Sequence, residues 1–272
     1  MKLLPFSTLL LAGTSLLAST GIQAEEYQSI STVGYTKFDD SPSDRDAYSL
    51  ETKYYFDKKK TLGPLDEFKY INNISNISAN YLNYEDSNDY RIAGEMFMDQ
   101  ILIGGSYQYH DIEHGGSDDI FSLSLGYLIN DDFLIKAQAF RVDSETDYLY
   151  SAAYNHQIND SDYIGFTYTT DDDFDVQTLS SKYFKALGQD SYLTAQLSYT
   201  DYDSRSHSLI ASMEYFFTGA TSVGGSYDEN DDYTVSAKHY FNKNYAVALG
   251  FQSNGRENVD YDIYTIDFTA QF

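Results

Sequence analysis

The last fourteen residues of the chain, 259–272, read VDYDIYTIDFTAQF and alternate between two kinds of side chain. Every second position, counted back from the end, holds an apolar or aromatic residue. These positions are Tyr264, Ile266, Phe268, Ala270 and Phe272. The positions between them hold Thr, Asp, Thr and Gln. Because successive side chains of a β-strand point to opposite faces, this period of two predicts a strand with one apolar and one polar face.

The same alternation recurs along most of the chain. Apolar side chains occupy Phe121, Leu123 and Leu125, for example, and Ser122 and Ser124 lie between them. We count sixteen segments of this kind, and no stretch has a convincing helical period. The segments lie at about 27–38, 47–57, 74–85, 89–98, 100–110, 119–130, 133–142, 147–157, 162–170, 174–185, 191–201, 206–217, 220–228, 232–241, 244–252 and 259–272.

The number and length of these segments favour a barrel over a soluble sandwich. A sandwich also alternates, but it buries its apolar faces between two sheets. Here the polar faces are rich in Ser, Thr, Gln, Lys and Glu, as expected of a wet interior with lipid outside. An even count also returns both chain ends to the same side of a membrane. The pattern predicts an all-β fold, a closed antiparallel transmembrane β-barrel of about sixteen strands, with fourteen as the alternative count.

The first residues have the features of a secretory signal peptide. Lys2 supplies a positive charge, residues 3–17 are mainly apolar, and the small residue Ala24 precedes two glutamates. A membrane-anchor helix is the alternative, but the apolar stretch is shorter than the ~20 residues that span a bilayer. We therefore predict a signal peptide at residues 1–24 and a transmembrane barrel at residues 25–272.

The composition excludes several classes of function. The formal net charge is −25, which argues against nucleic acid as a partner because that binding depends on Lys and Arg. The chain has no Cys, so thiol catalysis and Cys-based metal sites are excluded. It has 28 Tyr and 17 Phe, and amphipathic aromatic side chains are typical of strands that end at a membrane surface.

The connections between the segments fall into two classes. Those assigned to the outside of the cell, such as 85–89 and 171–175, are rich in Asp and Glu, and most of those assigned to the periplasm are short. This asymmetry is expected of outer-membrane barrels. The longest connection, 58–73, is assigned to the periplasm and therefore does not fit this asymmetry. Three interpretations stay open: a periplasmic turn, a plug that folds into the barrel, or a strand that begins early, near Phe68.

Several strands that enter a periplasmic turn end in a charged residue followed by aromatic ones. The examples are Lys53-Tyr54-Tyr55-Phe56, Lys182-Tyr183-Phe184, Glu214-Tyr215-Phe216-Phe217 and Lys238-His239-Tyr240-Phe241. Aromatic side chains gather at both interfaces of membrane barrels. These strand ends therefore predict an aromatic girdle at the inner membrane–water interface.

The polar faces of the strands supply candidates for a channel lining. They carry charges of both signs and no arrangement typical of a dedicated binding site. The candidates are Glu51, Lys53, Arg91, Glu95, Lys136, Gln138, Lys182, Glu214 and Lys238.

We predict no catalytic residue, no cofactor and no metal site. The run His110–His114 contains metal-ligand types, but a solvated acidic connection explains it better. His207 and Ser208 are neighbours on a strand, so they point to opposite faces and cannot act as base and nucleophile for each other.

Within residues 46–84 lies a run that resembles a known family, DAYSLETKYYFDKKKTLGPLDEFKYINNISNISANY. A strand end at Tyr54-Tyr55-Phe56 is followed by Gly63-Pro64-Leu65, then Glu67 and a strand rich in Ser and Asn. This order is similar to the opening of the putative general porin family of Gammaproteobacteria. The resemblance covers about forty residues and implies outer-membrane location and pore formation. It brings no catalytic residues with it.

Pattern and resemblance together lead us to expect a porin in the outer membrane of a Gram-negative bacterium. We expect passive diffusion of small hydrophilic solutes, with a preference for cations because carboxylates surround the channel mouth. A surface adhesin or receptor and, with less support, a barrel hydrolase are the alternatives. The expected partners are outer-membrane lipid, the barrel-assembly machinery, small solutes and cations. The sequence does not decide between a monomer and a trimer.

The alternating last strand leads to a prediction about assembly. Its terminal Phe resembles the signal by which outer-membrane barrels are recognised for assembly. Deletion of Phe272 should therefore block membrane insertion while changing few contacts of the folded barrel. Surface labelling of cells that express the full-length and the shortened chain measures this. Equal surface levels of the two chains would place the signal elsewhere.

Overall fold

The computed structural model describes residues 13–14, 25–40, 44–113, 115–142, 145–256 and 261–272. Within these ranges, no helix is long and apolar enough to cross a membrane. The strands are β1 (Gly13–Thr14), β2 (Glu26–Asp40), β3 (Arg45–Lys60), β4 (Asn76–Tyr84), β5 (Ser87–Met98), β6 (Ile101–Ile112), β7 (Gly116–Asn130), β8 (Phe133–Val142), β9 (Glu145–Gln157), β10 (Tyr163–Asp171), β11 (Val176–Gly188), β12 (Ser191–Tyr202), β13 (Arg205–Thr218), β14 (Thr221–Asp228), β15 (Asp232–Tyr240), β16 (Tyr245–Asn254) and β17 (Tyr261–Gln271).

Strands β2 to β17 form one closed sheet. Each of them pairs antiparallel with the next strand along the chain. The last strand, β17, pairs antiparallel with β2, from Tyr261 opposite Asp40 to Gln271 opposite Ile30. Closure leaves no sheet edge, and an open edge in lipid would expose unpaired backbone groups at high cost. The predicted closed antiparallel barrel of sixteen strands is confirmed, and the alternative count of fourteen is wrong.

The two-residue strand β1 pairs in parallel with Ala237 and Lys238 of β15. The predicted signal peptide spans residues 1–24, and all of it except residues 13–14 lies outside the described residues. Its assignment therefore stays a prediction.

Side chains along each barrel strand alternate between the outer surface and the interior. In β7, Leu123 and Leu125 are 73% and 62% exposed, whereas Ser122 is 8% exposed. Ser122 faces the interior, and its hydroxyl lies 2.7 Å from that of Ser106 on β6. The outer surface is therefore apolar along the strands, as contact with lipid requires.

The connections differ from those expected. The barrel has one end that holds Glu26 and Phe272, called the terminal end, and an opposite, acidic end. At the acidic end only two residues separate β4 from β5, and two separate β12 from β13. Acidic residues there continue the ladder instead of forming loops, as Asp118 does opposite His110. The longest connection, residues 61–75, lies at the terminal end, so the expected contrast between long outer loops and short turns is wrong.

The charged–aromatic strand ends divide between the two faces of the wall. In β3, Tyr54 and Phe56 are exposed on the outside, whereas Tyr55 is buried inside. Phe184, Phe216 and Tyr240 are buried in the same way. Successive residues of a strand point in opposite directions, so a run of aromatic residues supplies both faces. The predicted girdle accounts for the outward half of these rings, and the other half fills the interior.

Candidate functional site in the barrel interior

Residues 61–75 form a plug inside the barrel. The segment leaves the end of β3 and returns at Asn76, the first residue of β4. An antiparallel bridge joins Thr61 to Phe68, and the Leu62 N–H donates to the Glu67 carbonyl at 2.8 Å. Of the three interpretations left open by the sequence, the structure selects the plug. The strand β4 begins at Asn76, not near Phe68.

Backbone hydrogen bonds dock the tip of the plug. The Leu65 N–H donates to the carbonyl of Gly219, in the turn between β13 and β14, at 2.8 Å. The Leu65 carbonyl accepts from Nε2 of Gln271 at 3.0 Å. Gln271 belongs to the inward set of β17, because Phe268 on the alternate set is exposed outside. The plug tip therefore lies against the inner wall.

Two ion pairs join neighbouring acids of the plug to lysines of the wall. The Asp66 carboxylate lies 2.7 Å from Nζ of Lys238 on β15. The Glu67 carboxylate lies 2.7 Å from Nζ of Lys182 on β11. The side chain of Glu67 is only 6% exposed. A charge removed from water in this way requires a partner, so these pairs are a condition of the plug's position.

Glu67 receives a second donor from the wall. The Tyr163 hydroxyl of β10 donates to its Oε1 at 2.6 Å. Burial raises the pKa of the Glu67 carboxyl above its ordinary value, while Lys182 and the Tyr163 hydrogen bond act in the opposite direction.

An apolar cluster packs the plug against the inner wall. It joins Leu65, which is 1% exposed, to Tyr27, Tyr240 and Ala246 of the inner wall. Phe68 of the plug packs against the same cluster. Burial of apolar surface stabilises such contacts by roughly 25 cal/mol per Å². The terminal end of the interior is therefore partly filled by a small core.

A row of aromatic rings runs from the plug along the inner face of the wall, from β10 to β12. Tyr70 of the plug lies 6.0 Å from Tyr163, which stacks on Phe184 of β11 at 5.7 Å. Phe184 in turn stacks on Tyr192 of β12 at 5.8 Å. The Tyr70 ring reaches β10 because Gly165 stands there. A Cβ at Gly165 would lie only 2.4 Å from the Tyr70 ring atoms.

The channel-lining candidates lie on the inward positions of their strands. Lys182 and Lys238 bind the plug, and Glu95 on β5 lies 3.4 Å from Lys136 on β8. The hydroxyl of Ser222 on β14 donates to Glu214. The remaining candidates are spread around the wall and are not brought to a common point. They are Glu51 and Lys53 on β3, Arg91 on β5 and Gln138 on β8.

The sequence indicates the inward lysines and the family motif that contains Glu67, but it does not indicate that they meet. Asp66 lies in the connection whose structure the sequence leaves open, and Tyr163, Tyr70 and Gln271 follow the ordinary pattern of strand or loop residues. One signal was available, because the acidic pair follows the apolar Leu65 in the one long connection at that end.

The groups considered for metal binding or catalysis have other contacts. His110 Nδ1 lies 2.9 Å from Asp89, and His114 is outside the described residues. Among the described residues, no group of three or more His, Cys, Asp or Glu is placed to hold a metal ion. His207 Nε2 lies 3.0 Å from Glu229.

The residues of the proposed assembly signal lie on the outer surface of the last strand. Tyr264, Ile266, Phe268 and Phe272 are all about half exposed there, and Ala270 shares their set. The Phe272 carbonyl accepts from the N–H groups of Gln28 and Ser29 at 2.5 and 2.8 Å. The role of these residues in assembly stays a prediction.

A closed barrel with an apolar outside and a polar interior defines the class of transmembrane β-barrels. The chain matches the family described as putative general bacterial porin over residues 1–272, and it belongs to that family. Family and fold together imply a bacterial outer-membrane protein. A comparison with curated proteins gives no match.

Several solved structures are similar to the chain. Pseudomonas aeruginosa OpdQ is 10% identical, with a TM-score of 0.53 over 91% of this chain and 99% of that one. A mutant of the Rh. blastica porin is 10% identical, with a TM-score of 0.52 over 92% and 100%. Omp33 of Acinetobacter baumannii is 16% identical, with a TM-score of 0.49 over 91% and 99%. The first two likenesses show the barrel fold.

The ion pair of Glu67 leads to a prediction about the plug. Glu67→Gln keeps an acceptor for Tyr163 but leaves Lys182 without its counter-charge. Breaking a fully buried pair costs about 3–5 kcal/mol, and Lys182 is partly exposed, so we expect about 1–3 kcal/mol here. Hydrogen exchange of peptides from 61–75 should then become roughly 5–150-fold faster.

The matched control is Asp57→Asn, which removes an exposed acid at the end of β3. Its exchange rates in the plug should equal those of the native protein. If the two variants protect the plug equally, the Glu67 pair does not hold it.

Proposed function

We propose that the protein is an outer-membrane porin through which small hydrophilic solutes diffuse passively, without catalysis. The observation that carries this proposal is the closed barrel of sixteen strands with an apolar outer face and a charged, polar inner face. Barrels of about 16–18 strands leave an aqueous channel, whereas about eight strands leave an interior filled by side chains. Membership of the porin family supports the same conclusion.

The plug occupies part of the interior, so the proposed passage is narrow. It occupies the interior beside β10, β11, β15 and β17, at the terminal end. Any solute must pass between this segment and the remaining wall. The proposal is therefore limited to small solutes, and it places the terminal end in the periplasm, as expected when both chain ends lie there.

A preference for cations is the second part of the proposal. Acidic residues are concentrated at or near the end opposite the plug, where they would surround the outer mouth. They are Asp39, Asp40, Asp44, Glu85, Asp86, Asp118, Asp119, Asp171, Asp172, Asp173, Asp228, Glu229, Asp231 and Asp232. Rings of carboxylates raise the local concentration of cations and repel anions.

The lysines of the interior would oppose this preference, but three of them are paired. Lys136 lies 3.4 Å from Glu95, and Lys182 and Lys238 each lie 2.7 Å from a plug acid. A paired lysine contributes little net charge to the path. The acidic mouth is therefore left as the larger influence.

The partners follow from the same proposal. The apolar outer face would contact outer-membrane lipid, and the last strand would be recognised by the barrel-assembly machinery. An adhesin or receptor would need surface loops, and the connections between β4 and β5 and between β12 and β13 are two residues long. We therefore favour a channel.

Swelling of liposomes tests the channel directly. Liposomes that contain the purified protein should swell in an iso-osmotic solution of a pentose, because the sugar enters and water follows. Liposomes without protein, and liposomes with the heat-denatured chain, are the controls. A protein that leaves them impermeable to the pentose is not a porin.

Reversal potentials across a planar bilayer test the cation preference. Under a KCl gradient at low salt the potential should have the sign of cation selectivity. The preference should weaken at about 1 M salt, where the screening length falls to ~3 Å. The triple change Asp171→Asn, Asp172→Asn and Asp173→Asn should reduce it.

The matched control removes three acids from turns at the terminal end, by Asp131→Asn, Asp132→Asn and Asp190→Asn. This variant should keep the native selectivity. Anion selectivity of the native protein at low salt would mean that the wall, not the outer mouth, controls the passage.

A further inference from the structure

A cavity of about 630 Å³ lies between the plug and the wall at the terminal end. The end of β3 and both arms of the plug form one side of it. The turn between β9 and β10 and the start of β12 form the other, through Ser161 and Tyr192. A concave space of roughly 300–1,000 Å³ is typical of sites for small molecules. The cavity is separate from the acidic mouth at the opposite end.

Four lysines line this cavity. They are Lys58, Lys59, Lys60 and Lys69. The whole chain has 17 Lys and Arg and a formal net charge of −25, so this concentration of positive charge runs against the composition. Of the described residues that line the cavity, only Asp160 is acidic. The cavity therefore offers a local positive potential in an acidic protein.

The four lysines differ in how strongly they are engaged. Lys58 lies 3.3 Å from Glu26, with both side chains largely exposed. Lys59 lies over the rings of Tyr55 and Phe68, each at 4.9 Å. Within the described part of the chain, Lys60 and Lys69 form no ion pair, and both are exposed. Two ammonium groups at the cavity are thus available to a ligand.

The rest of the lining is mixed. Asn72 and Asn73 add polar amide groups to the lining, and Ile71 and Tyr192 provide apolar and aromatic surface. A single phosphate would fill little of this volume and would use only part of this lining. The combination suits an organic anion with several charged oxygens on a carbon skeleton.

We propose that this cavity binds a small organic anion that carries two or more carboxylate or phosphate groups. Lys60 and Lys69 contribute most of the attraction, because each is free to turn its ammonium group toward the ligand. Lys60 stands on the wall strand and Lys69 on the plug. A bound anion therefore connects the plug to β3. The site goes beyond the proposed function, since it needs the folded barrel but not conduction.

Titration calorimetry tests the site. The native protein, extracted from membranes into a zwitterionic detergent, is titrated with citrate and with pyrophosphate in about 0.1 M NaCl, where distant charges are screened. We expect saturable binding of at least one of them, and the pair distinguishes carboxylate from phosphate. Acetate at matched ionic strength, which carries one charge, should give no saturable binding.

Two double variants locate the binding. The change Lys60→Gln with Lys69→Gln should weaken the affinity at least about tenfold, because charge-assisted hydrogen bonds are lost. The change Lys37→Gln with Lys185→Gln removes the same charge outside the cavity and should leave the affinity within about twofold. The four lysines that are replaced lie at the surface, so we expect both double variants to fold. The resistance of each variant to unfolding in detergent checks this.

The proposal is overturned if neither citrate nor pyrophosphate binds saturably to the native protein. It is also overturned if both double variants weaken binding equally, since general charge attraction would then explain it. Conduction is measured separately. Binding without conduction would refute the porin function alone, and conduction without binding would refute this site alone.

Discussion

A backbone N–H or C=O group without a partner is very costly in lipid, and this constraint governs the whole molecule. The chain meets it by pairing β17 with β2, so that every barrel strand has two neighbours. In a closed barrel, successive side chains of a strand point to opposite faces, so each side chain faces either the lipid or the interior. Leu123 and Ser122 show the result, because one is exposed on the outer surface and the other pairs with Ser106 inside.

The same sorting places charges inside the barrel, and the plug neutralises part of them. Lys182 and Lys238 belong to inward positions four strands apart, on β11 and β15. The neighbouring acids Asp66 and Glu67 reach one lysine each at 2.7 Å. A buried charge is stable only beside a counter-charge or hydrogen-bond donors, so plug and wall depend on each other. The interior loses free positive charge as a result, whereas the acidic mouth keeps its excess.

The barrel could be predicted from the sequence because its signal is local. Alternation within ten residues, as between Leu123 and Ser124, reveals a strand without knowledge of its neighbours. The plug could not be predicted in this way, because Glu67 meets Lys182 across 115 residues and Tyr163 across 96. The aromatic strand ends could be predicted only in part, for a related reason. Their composition indicates an interface, but only the partner inside explains why Phe184 is fully buried.

The contacts of the plug also depend on the closure of the barrel. Its docking surface is made from β2, β10, β11, β15 and β17, which are widely separated along the chain. The Gln271 side chain bridges the carbonyls of Leu65 and Lys243, next to the chain end. Closure brings Tyr27 of β2 beside Gln271 and Tyr240, because β2 reaches these strands by pairing with β17. Long-range contacts of this kind form after the local hairpins. The complete docking surface of the plug, which includes both Tyr27 and Gln271, therefore exists only in the closed barrel.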